Sequence, residues 1–294
     1  MGGAVMANGI LVIDKPEGWT SHDVVAKVRR LFGARRVGHS GTLDPMATGV
    51  LPLFLGRATR AVSFAVDSEK EYIAGLQLGV ITDTQDTTGT VLETRPVSVG
   101  REALEALLPQ FQGEQMQIPP MYSAIKRNGK KLYELARAGQ EVERTPRPVT
   151  FYALELLEPS QEGPVFSLRV RCSKGTYVRT LCHDIGQALG CGGAMCSLRR
   201  THAAGFGLDQ AVTLEALAGA DNPADFLLPV DTCFRQYPAR TASPQEERQI
   251  RNGASYPCKG PEGRCRVYGP DGEFLMLGEA RRGRMETVKS FFEV

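Results

Sequence analysis

A glycine-rich loop at residues 36–49 contains the side chains best suited to catalysis. Its sequence is RVGHSGTLDPMATG, in which Pro45 keeps Asp44 out of helical geometry and three glycines allow close approach to a ligand. A carboxylate held rigidly just after Arg35 and Arg36 could act as a nucleophile toward an anionic substrate. The same residue types also suit an ordinary turn in which Asp44 caps the backbone. Residue chemistry alone favours the turn.

Predicted secondary-structure elements lie on both sides of this loop and would position it. Residues 9–14 (GILVID) and 50–55 (VLPLFL) are apolar runs typical of buried strands. Between them, Thr20 and Ser21 can cap a helix with one apolar face, and Gly33 can end it. Further along, alternation predicts strands at residues 72–78, 150–157 and 165–172, and helical spacing predicts helices at 99–111 and 176–189.

A basic stretch occupies residues 119–148. It holds seven basic residues against three acidic ones, although the whole chain has a net charge of only +2. Such a local excess could neutralise RNA phosphates and give salt-sensitive affinity. The alternative is a solvated charged face without a ligand. The candidate RNA-binding residues are Lys126, Arg127, Lys130, Lys131, Arg144 and Arg147.

From about residue 238 the pattern changes to short strands broken by glycine and proline. Strands are predicted at residues 264–268, 273–280 and 287–292, with a strong hairpin signal, GPDG, before the second. A chain of 294 residues suits one large domain and one small one. We therefore expect a catalytic domain at residues 1–235, with an insertion at about 110–150, and a small β-rich domain at 236–294.

The composition is that of an ordinary globular protein, with 42 % hydrophobic and 23 % charged residues. Seven cysteines without a CxxC pair suit reduced thiols in a cytosolic enzyme better than a secreted disulfide framework. The N-terminus lacks the pattern of a secretory signal, and no run approaches the roughly 18 apolar residues of a membrane span. Because zinc-site spacings, a Walker loop and GxGxxG are absent from the sequence, zinc deamination, nucleotide hydrolysis and dinucleotide redox chemistry have no support.

Five ordered segments resemble one enzyme family. The loop sequence GHSGTLDPMATGVLP closely resembles the central motif of the TruB-type tRNA pseudouridine synthases. Four more segments match the same family in the same order: GILVIDKPEGWTSHDVV, EYIAGLQLGVITDTQDTTG, CSKGTYVRTLCHDIG and SLRRTHAAGFG. The resemblance covers residues 9–207 and continues more loosely into the tail. It implies an α+β fold, with a mixed, largely antiparallel sheet flanked by helices, and a small C-terminal PUA-like β-barrel.

The resemblance assigns three catalytic residues. Asp44 matches the family's nucleophile, and Tyr72 matches an active-site tyrosine that packs against the target base. Because Tyr72 begins a predicted strand, we favour this role over a core position. Arg179 matches the arginine that pairs with the catalytic aspartate, for which we expect an approach of about 4–6 Å and bidentate contact. The alternative for Arg179 is a helix-surface position.

Further residues match the family's substrate-binding positions. Tyr177 and Leu198 match residues that line the uracil pocket, although simple core packing competes for both. His39 matches a histidine that stacks where flipped nucleotides had been, because an enzyme that acts on a base in folded RNA must extrude it. Lys15 and Pro16, in the first motif, are interpreted as structural support for Tyr72.

The function that the resemblance implies is isomerisation of a uridine in the T-loop of tRNA, at tRNA position 55, to pseudouridine. The product is an isomer of the substrate, so no metal or other cofactor is expected. We expect a cytoplasmic monomer that binds the T-arm of tRNA without a protein partner. The alternatives are a guide-RNA-dependent synthase, which would have a larger C-terminal portion, and a noncatalytic tRNA-binding or folding protein.

Overall fold

The fold is described from a computed structural model that covers residues 7–158 and 163–293. The first six residues, part of the segment interpreted as lacking a secretory signal, lie outside the described residues. The helices are α1 Ser21–Leu31, α2 Val62–Val66, α3 Arg101–Leu107, α4 Leu132–Arg137, α5 Val178–Ala188, α6 Leu214–Ala218 and α7 Pro244–Arg251. The strands are β1 Gly9–Lys15, β2 Val37–His39, β3 Thr48–Leu55, β4 Lys70–Leu78, β5 Val80–Thr82, β6 Val91–Thr94, β7 Gly113–Gln117, β8 Lys126–Arg127, β9 Lys130–Lys131, β10 Arg147–Leu156, β11 Val165–Cys172, β12 Gly193–Ala203, β13 Phe206–Gly207, β14 Ala239–Thr241, β15 Tyr256–Pro257, β16 Gly263–Tyr268, β17 Phe274–Arg281 and β18 Arg284–Ser290.

A nine-stranded sheet forms the body of the molecule. Its main path runs β1-β3-β12-β4-β11-β10-β7, with β2 beside β3 and β13 beside β12. Neighbouring strands are antiparallel except β3 and β12, which run parallel. One face packs against α1 and α5, and the other is covered near β1 by Phe206, Phe234 and Phe291. This burial on both faces explains why β1 is apolar from Gly9 to Ile13. The prediction of an α+β fold is confirmed.

Helix α1 begins and ends as predicted. The side chain of Thr20 accepts a hydrogen bond from the Asp23 amide, and the Asp23 carboxylate accepts one from the Thr20 amide, which is a capping box. Gly33 follows the helix with φ of +57°, a conformation that suits glycine. Val24 and Val28 face the core, so the helix is fixed next to the loop of Asp44.

Strand β12, which was not predicted from the sequence, is central to the site. It lies between β3 and β4, and Arg200 stands opposite Tyr72 on one side and Gly49 on the other. Gly49 has φ of +99°, and a Cβ there would collide with the backbone of Arg200. The end of the glycine-rich loop therefore needs a glycine because a neighbouring strand passes directly against it.

Two of the differences between predicted and observed element boundaries concern the candidate site residues. Strand β4 begins at Lys70, so Tyr72 is its third residue, and the argument from a strand-initial tyrosine was wrong. Helix α5 begins at Val178, which makes Tyr177 its N-cap residue rather than part of its face. Both differences arise because neighbouring strands and caps set element ends more than local propensity does.

The basic stretch folds into a hairpin and a short helix. Strands β8 and β9 pair across Asn128 and Gly129, which both have positive φ, as a two-residue hairpin turn of this kind requires. Helix α4 follows at once. The stretch starts after the edge strand β7, which was not predicted, and returns to the sheet at β10.

The C-terminal residues form a second, five-stranded sheet of order β14-β16-β17-β18-β15, curled into a half-barrel. Its three main strands overlap the predicted ones, although the last runs to Ser290 rather than to 292, and α7 was not predicted. The sheet packs on the body through Phe234, whose ring lies 5.6 Å from that of Phe291.

In the part of the chain that the structure describes, we find no helix long and apolar enough to cross a membrane. All seven cysteines are free thiols, and five of them are buried.

Candidate active site

A cleft of about 690 Å³ opens beside the glycine-rich loop. Its walls come from the loop, from β4, β12 and the start of α5, and from the basic stretch. Five of the residues singled out in the sequence meet there, although they are widely separated along the chain. They are Asp44, Tyr72, Tyr177, Arg179 and Leu198.

Asp44 and Arg179 form an ion pair inside this cleft. Nη2 of Arg179 lies 2.8 Å from Oδ2 of Asp44. The side chain of Arg179 is only 8 % exposed, so it is not a helix-surface residue, whereas that of Asp44 is 39 % exposed. The buried cation thus holds a carboxylate that still faces the space where a substrate would lie.

Asp86 completes this arrangement and was missed in the sequence. Its Oδ2 atom lies 3.5 Å from Nη1 of Arg179, and its side chain is 5 % exposed. The expected bidentate contact to Asp44 is therefore not formed, because the guanidinium is shared between two carboxylates. Oδ1 of Asp86 accepts hydrogen bonds from Thr84 and Thr88, which fixes the turn. The signal was present in the family segment EYIAGLQLGVITDTQDTTG, in which no role was assigned to Asp86.

Tyr72 and Tyr177 supply aromatic surface to the cleft. Tyr72 is 7 % exposed, and burial raises the pKa of its hydroxyl, while the nearby Arg200 guanidinium acts to lower it. Tyr177 is fixed at the N-cap of α5 because Gln117 both accepts from its amide at 2.8 Å and donates to its carbonyl at 3.0 Å. The Tyr177 ring centre lies 5.9 Å from the guanidinium carbon of Arg179.

Leu198 both packs in the hydrophobic core and lines the cleft. It lies on β12, is 9 % exposed and belongs to the main hydrophobic core, yet it also lines the cleft. Its apolar side chain therefore gives the cleft a wall that suits the flat face of a base, without excluding a packing role.

His39 does not line the cleft. It ends β2, and its ring packs edge-on against that of His22, with 5.8 Å between the ring centres. Burial lowers the pKa of His39, and its Nδ1 atom has no hydrogen-bond partner within the described residues. His39 thus lies in the first part of the glycine-rich loop, outside the cleft that holds Asp44.

Lys15 supports the loop of Asp44 rather than Tyr72, which corrects the sequence interpretation. It is fully buried, and its Nζ donates to the carbonyls of Pro16, Trp19 and Pro45 at 2.9, 2.6 and 3.3 Å. Burial lowers the pKa of Lys15 to about 8, against the opposing influence of the Asp44 carboxylate. The lysine therefore ties the turn after β1 to the residue that follows Asp44.

The predicted RNA-binding residues lie at the surface of the basic stretch. Lys126, Arg127, Lys130 and Arg147 are exposed, while Lys131 and Arg144 are half-buried. Arg144 donates to the Pro119 carbonyl at 3.3 Å and pairs with Glu141. The residues of the stretch that line the cleft are others, Tyr122, Ser123, Ala124, Tyr133 and Arg137.

Within residues 7–158 and 163–293 we find no group of three or more His, Cys, Asp or Glu side chains arranged to hold a metal ion. The polar groups of the cleft suit an organic substrate, because a carboxylate and a buried arginine stand beside aromatic and apolar walls.

Comparison with known proteins decides the family. The model of the TruB family pseudouridylate synthase N-terminal domain matches residues 29–178, and that of the tRNA pseudouridylate synthase B C-terminal domain matches residues 179–235. The chain belongs to the TruB family. It is therefore a tRNA pseudouridine synthase, an isomerase.

Relatives in the TruB family align over nearly the whole chain. The chain is 48 % identical to a tRNA pseudouridine synthase B from Stutzerimonas stutzeri strain A1501, over 92 % of this chain and 91 % of that one. It is 49 % identical to a protein of the same name from Azoarcus sp. strain BH72, over 95 % and 93 %.

Solved structures show the same fold at lower identity. The chain resembles a chain of a Cbf5-Nop10-Gar1 complex with a TM-score of 0.74 and 27 % identity, over 97 % of this chain and 85 % of that one. It also resembles a chain of an H/ACA RNP bound to a substrate RNA containing 2'-deoxyuridine, with a TM-score of 0.73 and 25 % identity, over 98 % and 86 %. The pseudouridine synthase fold predicted for the TruB family is confirmed.

Proposed function

We propose that this enzyme isomerises the T-loop uridine at tRNA position 55 to pseudouridine, with Asp44 as the nucleophile. The observation that carries the proposal is the half-exposed Asp44 carboxylate, paired at 2.8 Å with the buried Arg179 in the cleft. A carboxylate that is oriented by a fixed cation and open to the substrate has the geometry that nucleophilic catalysis requires.

The reaction breaks the bond between uracil N1 and ribose C1′ and forms a bond between C5 and C1′. C5 loses its hydrogen as a proton and N1 gains a proton, so that the product is an isomer. The detached base carries negative charge and the sugar carbon is electron-poor, so a carboxylate beside C1′ stabilises the developing charge on the sugar. Tyr72, Tyr177 and Leu198 would clamp the base, which must first leave the stacked T-loop. His39, placed beside the cleft, would fill the space that the flipped base leaves in the RNA.

The exposed cations of the basic stretch would bind phosphates of the T-arm, and the C-terminal half-barrel would add a PUA-like RNA-binding surface. We propose a standalone monomer in the cytoplasm, without a metal, cofactor or protein partner. The guide-dependent alternative has less support, because the Cbf5 complex matches at 27 % identity while relatives named tRNA pseudouridine synthase B match at 48–49 %.

The test measures tritium release from a T-arm hairpin that carries C5-tritiated uridine. Release is expected from the native enzyme, without added metal or nucleotide, and none from Asp44→Asn. Asp209→Asn, the same chemical change at a site outside the cleft, should behave like the native enzyme.

Three other outcomes would overturn the proposal. Release by Asp44→Asn would show that Asp44 is not the nucleophile. Binding of the hairpin without release by the native enzyme would favour the guide-dependent or noncatalytic alternative. Equal activity on a hairpin with cytidine at the target position and tritiated uridine elsewhere would refute the T-loop site.

A further inference from the structure

Arg200 is a buried cation of the cleft for which the proposed chemistry has so far given no role. It is 1 % exposed and lines the cleft. Its Nε donates to the Val50 carbonyl at 2.7 Å and its Nη2 to the Gly41 carbonyl at 3.1 Å. Among the residues that the structure describes, no carboxylate forms an ion pair with it. A buried charge without a counter-charge is costly, so its retention at this place needs a physical reason.

The sheet register places Arg200 directly against Tyr72. The two residues are partners on the antiparallel strands β12 and β4, so their side chains project from the same face of the sheet. Lys70, two residues before Tyr72 on β4, shares that face and lines the cleft as well. A Cβ built on Gly41 would lie 3.4 Å from both Nη1 of Arg200 and Cε of Lys70, which shows that the two side chains converge.

The charged groups of the cleft form two sets. In one, Arg179 lies between Asp44 and Asp86. The other consists of Arg200 and Lys70, which share a sheet face with Tyr72, and Lys70 is held by the carbonyls of Val66 and Ser68 at 3.1 and 2.6 Å. The proposed reaction also separates charge, because the sugar becomes electron-poor while the departing base becomes negative.

We propose that Arg200 is a positioning residue that acts through Tyr72: its fixed positive charge makes the Tyr72 hydroxyl a stronger hydrogen-bond donor to the negatively charged base. A donor whose oxygen is polarised by a neighbouring cation gives a stronger hydrogen bond to an anion. Such help is larger in the transition state than in the bound ground state, where the base is neutral, so it raises kcat rather than affinity. The inference rests on the proposed function and adds a role for Arg200 and, to a smaller extent, Lys70.

The test compares Arg200→Lys with Arg200→Gln in the tritium-release assay, with affinity for the hairpin measured separately. The glutamine amide nitrogen reaches the position of Nε and can donate to the Val50 carbonyl, but only lysine keeps the charge. We expect Arg200→Gln to lower kcat about tenfold or more, with hairpin affinity unchanged, and Arg200→Lys to retain most of the activity. Equal losses of kcat in the two variants would overturn the proposal, since they would indicate that Arg200 only supports the structure of the glycine-rich loop.

A double-mutant cycle with Tyr72→Phe tests whether the effect passes through the hydroxyl. In the Tyr72→Phe background, measured with enzyme in excess over RNA, Arg200→Gln should lower the rate by less than about twofold. A loss as large as in the native background would contradict the proposal. The matched control is Arg199→Gln, the next residue on β12, which pairs with Asp14 and is 43 % exposed, and its effect should add to that of Tyr72→Phe.

Two further measurements keep the outcome decisive. If Arg200→Gln melts well below the native enzyme, Lys70→Gln replaces it, and its smaller loss of kcat should likewise depend on the Tyr72 hydroxyl. An additive loss in that variant would overturn the role assigned to both cations. Failure of the native enzyme to release tritium would refute the proposed function, whereas normal release with an additive Arg200 effect would refute this inference alone.

Discussion

Arg179 is the buried member of its ion pair with Asp44, at 2.8 Å, and the carboxylate is the exposed one, with 8 % and 39 % of the two side chains accessible. Arg179 is thus held in place by its burial, whereas the Asp44 carboxylate projects from the glycine-rich loop into the cleft. Fixation of Arg179 depends in turn on Asp86, which lies on its other side at 3.5 Å.

Asp86→Asn should lower kcat on the order of tenfold to a hundredfold, because loss of one carboxylate lets Arg179 and Asp44 leave their aligned positions. The asparagine oxygen can still accept from Thr88, so folding and hairpin affinity should persist. Single-turnover rates and a melting curve check both statements. Glu93→Gln, an exposed carboxylate on the nearby β6, is the control, and a native rate for Asp86→Asn would contradict the expectation.

Lys15 should make the free energy of unfolding depend on pH in the alkaline range. Its pKa in the folded protein is about 8, below the ordinary value of 10.5. Between these pH values the unfolded chain binds more protons than the folded one, so the contribution of Lys15 to the free energy of unfolding rises with pH. Urea unfolding at pH 7 and pH 10 should therefore show a larger advantage of the native enzyme over Lys15→Met at pH 10. An advantage that stays constant or shrinks would argue against the burial of a charged lysine here.

Gly49→Ala should destabilise the protein by about 3 kcal/mol or more, because the added Cβ meets the Arg200 backbone at a residue with positive φ. Gly18→Ala is the matched control: it has φ of +81° but nothing within 4 Å of the added carbon. That change should cost only about 1 kcal/mol. Urea unfolding of the two variants measures the loss of unfolding free energy in each. Equal losses would mean that the backbone of β12 does not pass directly against Gly49.

The exposed cations of β8 and β9 should contribute to tRNA affinity and little to chemistry. Replacement of Lys126, Arg127 and Lys130 by glutamine is expected to weaken binding and to reduce the slope of log Kd against log salt by roughly one for each phosphate that is no longer neutralised. The rate at saturating RNA should stay near native. Glu143→Gln, in the same basic stretch, should shift affinity slightly in the opposite direction. An unchanged slope of log Kd against log salt would indicate that these cations face solvent and do not contact tRNA.

Much of the local structure followed from the sequence. The cap at Thr20, the glycine after α1, the strands around the loop and the β-rich tail all depend on neighbouring residues or on short periodic patterns, which are visible in a single chain. The family motifs also indicated Asp44, Tyr72, Tyr177, Arg179 and Leu198, and these five meet in the cleft.

Errors arose where a residue's partner is distant along the chain. Asp86 received no role because nothing in its local sequence shows that Arg179 packs beside it. Lys15 was assigned to Tyr72, although its hydrogen bonds go to the loop of Asp44. Strand β12 was missed because charged residues interrupt its apolar pattern, and only the sheet shows that Arg200 is buried.

The family, the loop that holds the carboxylate and the residue types available for catalysis could all be identified from the sequence. The tertiary structure alone decided which cations and carboxylates share the cleft, that His39 stays outside it, and that Arg200 stands between Gly49 and Tyr72. Strand order and register bring together residues that are far apart in the chain, and burial strengthens the electrostatic interactions between them. Composition and periodicity depend only on residues that are close in sequence, so they do not reveal these contacts.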